Sequence, residues 1–371
     1  MNILFVDQYG DMGGAQQCLL ELIPAIQDRE WGAFAALPAP SDFATRLTAM
    51  GVAVDPISLG EYSSGKTKGV SDLARFVWDS PQLAMRLRSI IRQREIDVIY
   101  VNGARVLVPA ALAAGRRLPV VFHAHNYLVP GPGRKLVHAS LGFCGWPYRI
   151  AVSRFVAGYL GDSSEVIPNG VADLSNGRVV GTTPRIGIVG RIAPEKGHLD
   201  FVEAARLLPR DWEFQIAGAP IISAPGYIES VTERANGLPV KFLGWQEDLH
   251  RLYSQFDLLI VPSEPGEGFG RVIIEAFSAG VPVVAYESGG IAELIVDNVT
   301  GYIVRPQTPQ ALAERIRTAM HDAEGRARVA REARKLWETN YTIQHYRDRV
   351  TKVIARAASN ASRAAASKTG R

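Results

Sequence analysis

The sequence predicts an α/β protein of two doubly wound, Rossmann-like domains, and three observations carry that expectation. Apolar runs of strand length alternate with amphipathic helical stretches from one end to the other, as they do when helices cover parallel sheets. The chain has 371 residues, 47% of them apolar, which exceeds a comfortable single core and suits two. At 172–184 the pattern breaks into ADLSNGRVVGTTP, polar and aperiodic, which reads as an interdomain linker. The expected organisation is a first domain over 1–175 and a second over 176–342.

Taken in order, the first domain has strand-like runs at 3–6, 33–37, 52–57, 98–101 and 120–122, closed by 150–152 and 166–167. Runs such as VIYV and LLIV are apolar throughout, which marks strands buried on both faces. The second domain has strands at 186–189, 214–217, 240–243, 258–261, 283–285 and 302–304, then helical patterns at 309–320 and 323–338. Doubly wound sheets bind ligands beyond the carboxyl ends of their strands. Two such domains facing one another make a cleft lined by strand-to-helix loops, and the useful residues are expected there.

Composition narrows the function. Cys18 and Cys144 stand far apart with no C-x-x-C pair, so neither a disulfide framework nor a zinc site is indicated and a reducing cytoplasm is expected. MNILFVDQYG lacks a basic n-region, and nowhere do 18 apolar residues run together, so no signal peptide or membrane span is expected. Net charge is +4, but 331–371 carries +7 and the remainder −3. The end of the chain, ASNASRAAASKTGR, reads as a basic disordered tail over 358–371, one that keeps the chain soluble or touches anionic lipid at the inner face of a membrane. No aromatic residue lies in that tail, so nucleic acid is not an expected partner.

The chemistry concentrates in 262–284, PSEPGEGFGRVIIEAFSAGVPVV. A buried strand ends at Pro262 and Ser263, a glycine-rich loop follows, and from Arg271 an apolar pattern at helical spacing runs to a stop at Gly280 and Pro282. The amides of Gly268, Phe269 and Gly270 would lie at the helix start, where free donors and the helix dipole attract phosphate. Glu267 and Glu275 cannot bind phosphate and suit hydroxyls. A nucleotide sugar carries both groups. The competing reading has Glu275 paired within its helix and Glu267 solvated.

At these residues the chain resembles retaining glycosyltransferase family 4, the glycosyl transferases group 1: Glu267 and Glu275 hold the E-x7-E spacing, with G-F-G inside it and E-A-F-S-A-G-V-P-V-V from Glu275 onward. The resemblance implies the GT-B fold, a nucleotide-diphosphate sugar donor linked to UDP or GDP, a hydroxyl acceptor, retention of anomeric configuration and no cofactor or catalytic metal. It also implies that 343–357 is a helix crossing back to the first domain, and it suggests polysaccharide or glycolipid biosynthesis.

Residue by residue, the resemblance extends further. In VGRIAPEKGHLDFVEA, Arg191 and Lys196 bracket a turn and match the pair that neutralises the departing diphosphate; the bland alternative pairs them with Glu195. Gly218 and Leu243, at two strand ends, match positions where the nucleotide approaches main chain. In YGDMGGAQQ, Gly13 and Gly14 let the chain turn beneath a ligand, Gly14 toward the donor and Gly13 toward the acceptor. A dinucleotide fingerprint fails there, since the spacing is not G-x-G-x-x-G and strand two ends without an acid. His125 in PVVFHAHNYL matches the histidine near the reacting sugar, while His123 reads as a packed, hydrogen-bonded residue and zinc lacks further ligands. The segment 128–149 reads as an acceptor-binding or solvated loop, with Arg134 and Lys135 facing a phosphorylated or lipid-diphosphate acceptor. In this scheme His125, Glu267, Arg191 and Lys196 serve catalysis and Glu275 holds the ribose. A nucleotide-sugar epimerase, a phosphorylase and a non-enzymatic sugar-nucleotide-binding protein are the alternatives.

Overall fold

The computed structural model of the chain describes residues 1–59, 70–161, 163–175, 177, 181–220, 224–264 and 266–369. Two units emerge, Met1–Asn169 with Gln344–Arg371, and Gly170–Ile343.

In the first unit strands and helices alternate: β1 (Asn2–Val6), α1 (Gly14–Gln27), β2 (Gly32–Leu37), α2 (Asp42–Ala49), β3 (Ala53–Pro56), α3 (Val70–Gln93), β4 (Val98–Val101), α4 (Ala104–Ala114), β5 (Val120–Ala124), α5 (Pro132–Phe143), β6 (Pro147–Ala151), α6 (Arg154–Leu160) and β7 (Glu165–Val166). The sheet is parallel in the order β3-β2-β1-β4-β5-β6-β7. Its central strands are apolar because both faces are covered: Ile3, Leu4, Val6, Val98, Ile99 and Val101 have no exposed surface.

The second unit repeats the plan with β8 (Arg185–Val189), α7 (His198–Arg206), β9 (Glu213–Ala217), α8 (Tyr227–Ala235), β10 (Val240–Gly244), α9 (Leu249–Ser254), β11 (Leu258–Val261), α10 (Arg271–Ala279), β12 (Val283–Tyr286), α11 (Ile291–Leu294), β13 (Tyr302–Val304), α12 (Pro309–His321) and α13 (Ala323–Asn340). A 3-10 turn, Pro194–Lys196, precedes α7. Strand order is β10-β9-β8-β11-β12-β13, again parallel. The last helix, α14 (Ile343–Thr369), returns to the first unit, where Arg347 Nε donates to the Glu21 carbonyl at 2.6 Å and Arg349 to that of Val166 at 2.5 Å.

In each sheet the winding reverses once, between β1 and β4 and between β8 and β11. Loops leaving those strands diverge to opposite faces and open a crevice at the strand ends, the usual ligand position in open α/β sheets. The residues following β1, β4, β8 and β11 are thereby singled out.

Two expectations fail. The segment 128–149 is not a loop: Pro132 starts α5, where its fixed φ suits the first turn, and the glycines that suggested a loop lie at the helix margins or on its exposed side. Nor does the final helix stop at residue 357 before a disordered tail. It continues to Thr369, and the alanine-rich sequence there has the propensity to sustain it. Residues 370–371 lie outside the described residues, as do 176 and 178–180 of the expected linker. The start of that linker is tied to the second unit: Val171 N donates to the Tyr341 carbonyl at 3.0 Å, and Asp173 pairs with Arg334 of α13 at 2.6 Å.

Candidate functional site

Beyond β8 and β11 the second unit joins two of the expected residues. Lys196, on the 3-10 turn after β8, places Nζ 2.6 Å from Oε2 of Glu267, in the loop after β11. Burial pushes the Glu267 pKa up, but the charge and hydrogen bond of Lys196, a hydrogen bond from Ser263 and the charge of Arg191 outweigh it and hold the carboxyl below its ordinary range. The carboxylate stays ionised. A cavity of about 30 Å³ lies beneath Lys196, lined by Gly190, Pro262, Ser263 and Val272 among others. It has room for a single water.

The main chain sets this geometry. Gly197 lies in the left-handed region at φ 71°, and a Cβ there would stand 2.0 Å from the Pro262 carbonyl oxygen. The loop after β8 is therefore pressed against the end of β11, which carries Lys196 to Glu267. Gly218, at φ 152° after β9, leaves the same narrow margin: a Cβ would meet the Gly190 carbonyl at 1.8 Å. Its glycine is required by packing. Gly270 caps α10 at φ 89°. Ser288, buried after β12, donates to the Glu264 carbonyl at 2.6 Å and accepts from Glu267 N at 3.4 Å, which holds the loop around Glu267 in place.

Other expected residues have protein partners. Glu275 is buried on α10; Oε1 takes Arg271 Nε at 2.8 Å, four residues back, and Oε2 takes the Tyr253 hydroxyl at 2.8 Å. Arg191 is half exposed and pairs with Glu195 at 3.5 Å, the bland alternative at that position. Phe269 is buried and meets Tyr341 edge-on, with ring centres 6.2 Å apart, so only its main chain can serve a ligand. Leu243 holds Gln246 through its carbonyl at 2.6 Å, and Gly268 lies close beneath Gly290.

In the first unit a buried polar chain crosses the ends of three strands. Asp7, fully buried after β1, accepts from Tyr9 N at 2.9 Å, from Gln16 Nε2 of α1 at 3.0 Å to both oxygens, and from Asn102 Nδ2 after β4 at 2.6 Å. Asn102 Oδ1 lies 2.8 Å from Nε2 of His125, just past β5. Burial raises the Asp7 pKa from 3.8 to about 6, against the lowering effect of those hydrogen bonds. His123 is fully buried, bonded to the Tyr100 hydroxyl and stacked on Tyr346 of α14; burial, then the charge of His125, pushes its pKa well down. It is the packed histidine the sequence suggests.

Gly13 caps α1 in extended conformation, φ −153° and ψ −178°, so the tight turn expected there is absent. Arg134 lies over the Tyr159 ring at 5.9 Å, and Lys135 is exposed on α5. The sequence reading missed Asp7, Gln16, Asn102, Ser263 and Ser288. Each but Gln16 is a polar residue just past an apolar strand, which was the available signal. Among the described residues no group of three or more His, Cys, Asp or Glu could hold a metal, and no helix is long and apolar enough to cross a membrane.

Comparison with known proteins meets this geometry from outside. Residues 12–173 match the family model Glycosyltransferase Family 4, and residues 175–336 match Glycosyl transferases group 1. Among curated relatives, the lipopolysaccharide 1,2-N-acetylglucosaminetransferase of Salmonella typhimurium is 33% identical over 43% of this chain and 45% of its own, and a D-inositol 3-phosphate glycosyltransferase of Mycobacterium is 37% identical over 34% and 30%. The chain spans less than half the length of these relatives. Among solved structures, Anabaena Alr3699/HepE in complex with UDP-glucose is 26% identical, with a TM-score of 0.80 over 96% of this chain and 100% of that one. The two-sheet architecture is the GT-B fold.

Proposed function

We propose a reaction for this chain from one premise: it belongs to the glycosyl transferases group 1. The reaction is transfer of a sugar from a uridine-diphosphate sugar to a hydroxyl acceptor, with retention of anomeric configuration, in the cytoplasmic assembly of a polysaccharide or glycolipid. The observation that carries it is the Lys196–Glu267 pair at 2.6 Å, a cation for a diphosphate and an ionised acceptor for sugar hydroxyls, beside the start of α10. Uridine is favoured over guanosine because Alr3699/HepE is solved with UDP-glucose.

In this reading Lys196 and Arg191 balance the charge that grows on the leaving diphosphate, so no metal is required. The loop amides from Gly268 to Gly270 add to that balance. Glu267 holds sugar hydroxyls and faces the positive charge developing on the anomeric carbon. Glu275 keeps Arg271 and Tyr253 and offers its remaining lone pairs to the ribose, since a carboxylate accepts about four hydrogen bonds. The C–O bond to the diphosphate breaks, the acceptor oxygen attacks from the same face, and its proton passes to the departing phosphate oxygen. His125 contacts sugar or acceptor hydroxyls.

The test is direct. UDP should raise the melting temperature more than GDP or ADP, and a labelled UDP-sugar should transfer to an oligosaccharide or glycolipid acceptor with its anomeric configuration retained. Stabilisation by GDP alone would overturn the base assignment. Inverted product would overturn the same-face mechanism, and no stabilisation or hydrolysis with any nucleotide sugar would overturn the reading.

A further inference from the structure

The chain Asp7–Asn102–His125 joins residues 95 and 23 positions apart in sequence, and its middle member is an amide with two different ends. An ionised carboxylate only accepts hydrogen bonds, so the end of Asn102 that faces Asp7 at 2.6 Å must be Nδ2. The other end, Oδ1, then faces His125, and an amide oxygen only accepts. The nitrogen 2.8 Å away, Nε2 of His125, must carry a proton. Gln16 Nε2, donating to both Asp7 oxygens, and the Ala15 carbonyl, accepting from Asn102 Nδ2 at 3.3 Å, fix the orientation further.

We propose that Asp7 and Asn102 are positioning residues that lock neutral His125 as its Nε2–H tautomer and so turn Nδ1 into a hydrogen-bond acceptor. This rests on the reading above in one respect, that His125 meets a hydroxyl of the donor or acceptor. The hydroxyl then donates to Nδ1, and the histidine discriminates for groups that can donate. No proton is transferred in holding that state; each member keeps its own.

The lock has a protonated counterpart. When Asp7 takes up a proton, which burial favours up to about pH 6, its O–H can donate to Asn102 Oδ1. The amide can then turn, Nδ2 donates to His125 Nε2, and the neutral ring must carry its proton on Nδ1. The titratable groups near the chain include Glu21 of α1, which acts on Tyr346. Gln16 and Cys18 come from α1, Tyr100 from β4, His123 from β5 and Tyr346 from α14, and burial keeps His123 neutral and the two tyrosines protonated.

Nitrogen-15 NMR of the full chain labelled at histidine reads the tautomer without any substitution; His125→Ala assigns its signal among the seven histidines. The expected result at pH 7.5 is Nε2–H in the native protein, and a rise of the Nδ1–H form in Asp7→Asn. Turnover of Asp7→Asn should fall by roughly ten- to a hundredfold with KM within about twofold, as misplacing one proton-bearing group does. In the double variant with His125→Ala the Asp7 substitution should add nothing. Native His125 found as Nδ1–H would overturn the lock, and so would two effects that multiply. Full activity of His125→Ala would overturn the positioning role, while leaving the nucleotide-sugar reading to stand on UDP binding and transfer.

Discussion

Two carboxylates, Glu267 and Asp7, respond to pH in opposite senses. The folded pKa of Glu267 lies below its ordinary value, so its contribution to stability is present above that value and is lost as pH falls through the depressed one. Asp7 is raised from 3.8 to about 6, so between those values the folded chain binds more protons than the unfolded one. Stability referable to Asp7 falls as pH rises across that window, by on the order of 3 kcal/mol in all, and is level above it. Urea titrations should therefore show Asp7→Asn gaining on the native chain from pH 4 to 6 and holding a constant difference above pH 7. For Lys196→Ala, loss of diphosphate stabilisation predicts turnover reduced by roughly 10²–10³, about 2–4 kcal/mol of transition-state stabilisation, read by single-turnover kinetics at saturating donor. Turnover near the native value would remove Lys196 from the reaction.

At the scale of elements, eleven of the helices fall into two sets by the residue that caps their start. Those following β1, β4, β5, β8, β9, β11 and β12, namely α1, α4, α5, α7, α8, α10 and α11, are capped by a glycine that supplies no side-chain bond. Those following β2, β6, β10 and β13 begin at Ser41, Ser153, Asp248 and Thr308, whose side chains accept from the first turn. A side-chain cap satisfies the same amides that a phosphate would use. Gly13 tests the trade, because its extended backbone suits any residue and a Cβ there meets only the Gln16 side chain, at 3.0 Å. Gly13→Ser should stabilise by a few tenths of a kcal/mol. Its kcat/KM should nevertheless drop, and thermal melting beside steady-state kinetics reads both. A variant neither more stable nor slower would dissociate this cap from function.

For the molecule as a whole, the proposed use of Arg191 and Lys196 in place of a metal predicts that exhaustive treatment with EDTA leaves the transfer rate within about twofold. A rate restored only by added Mg²⁺ or Mn²⁺ would refute it. Much of the architecture was legible in the sequence. Every strand expected is present, with ends shifted by a few residues, because parallel strands buried on both faces must be apolar runs. The loop around Glu267 was legible because its glycines and carboxylates are contiguous. The Asp7–Asn102–His125 chain was not, since its members are brought together only by the order β1-β4-β5. The partners of Glu275 were half legible: Arg271 lies four residues back on the same helix, but Tyr253 comes from α9. The alanine-rich end misled, because a low-complexity run of alanine, serine and basic residues resembles a disordered tail until helix propensity is weighed against it.

The return of α14 to the first unit bears on how the chain is made. Residues 170–343 form their unit without interruption, whereas the first unit includes residues from 344 onward. On the ribosome the second unit is complete while the first still lacks its last helix, and Tyr346, which stacks on His123, is among the pieces outstanding. At the usual rate of synthesis the interval between residue 169 and residue 344 is roughly ten to thirty seconds. Through that time the packed His123, whose ring lies 4.1 Å from that of His125, lacks the ring that covers it. A nascent chain stalled before residue 344 should bind nucleotide through its second unit while His123 remains open to solvent.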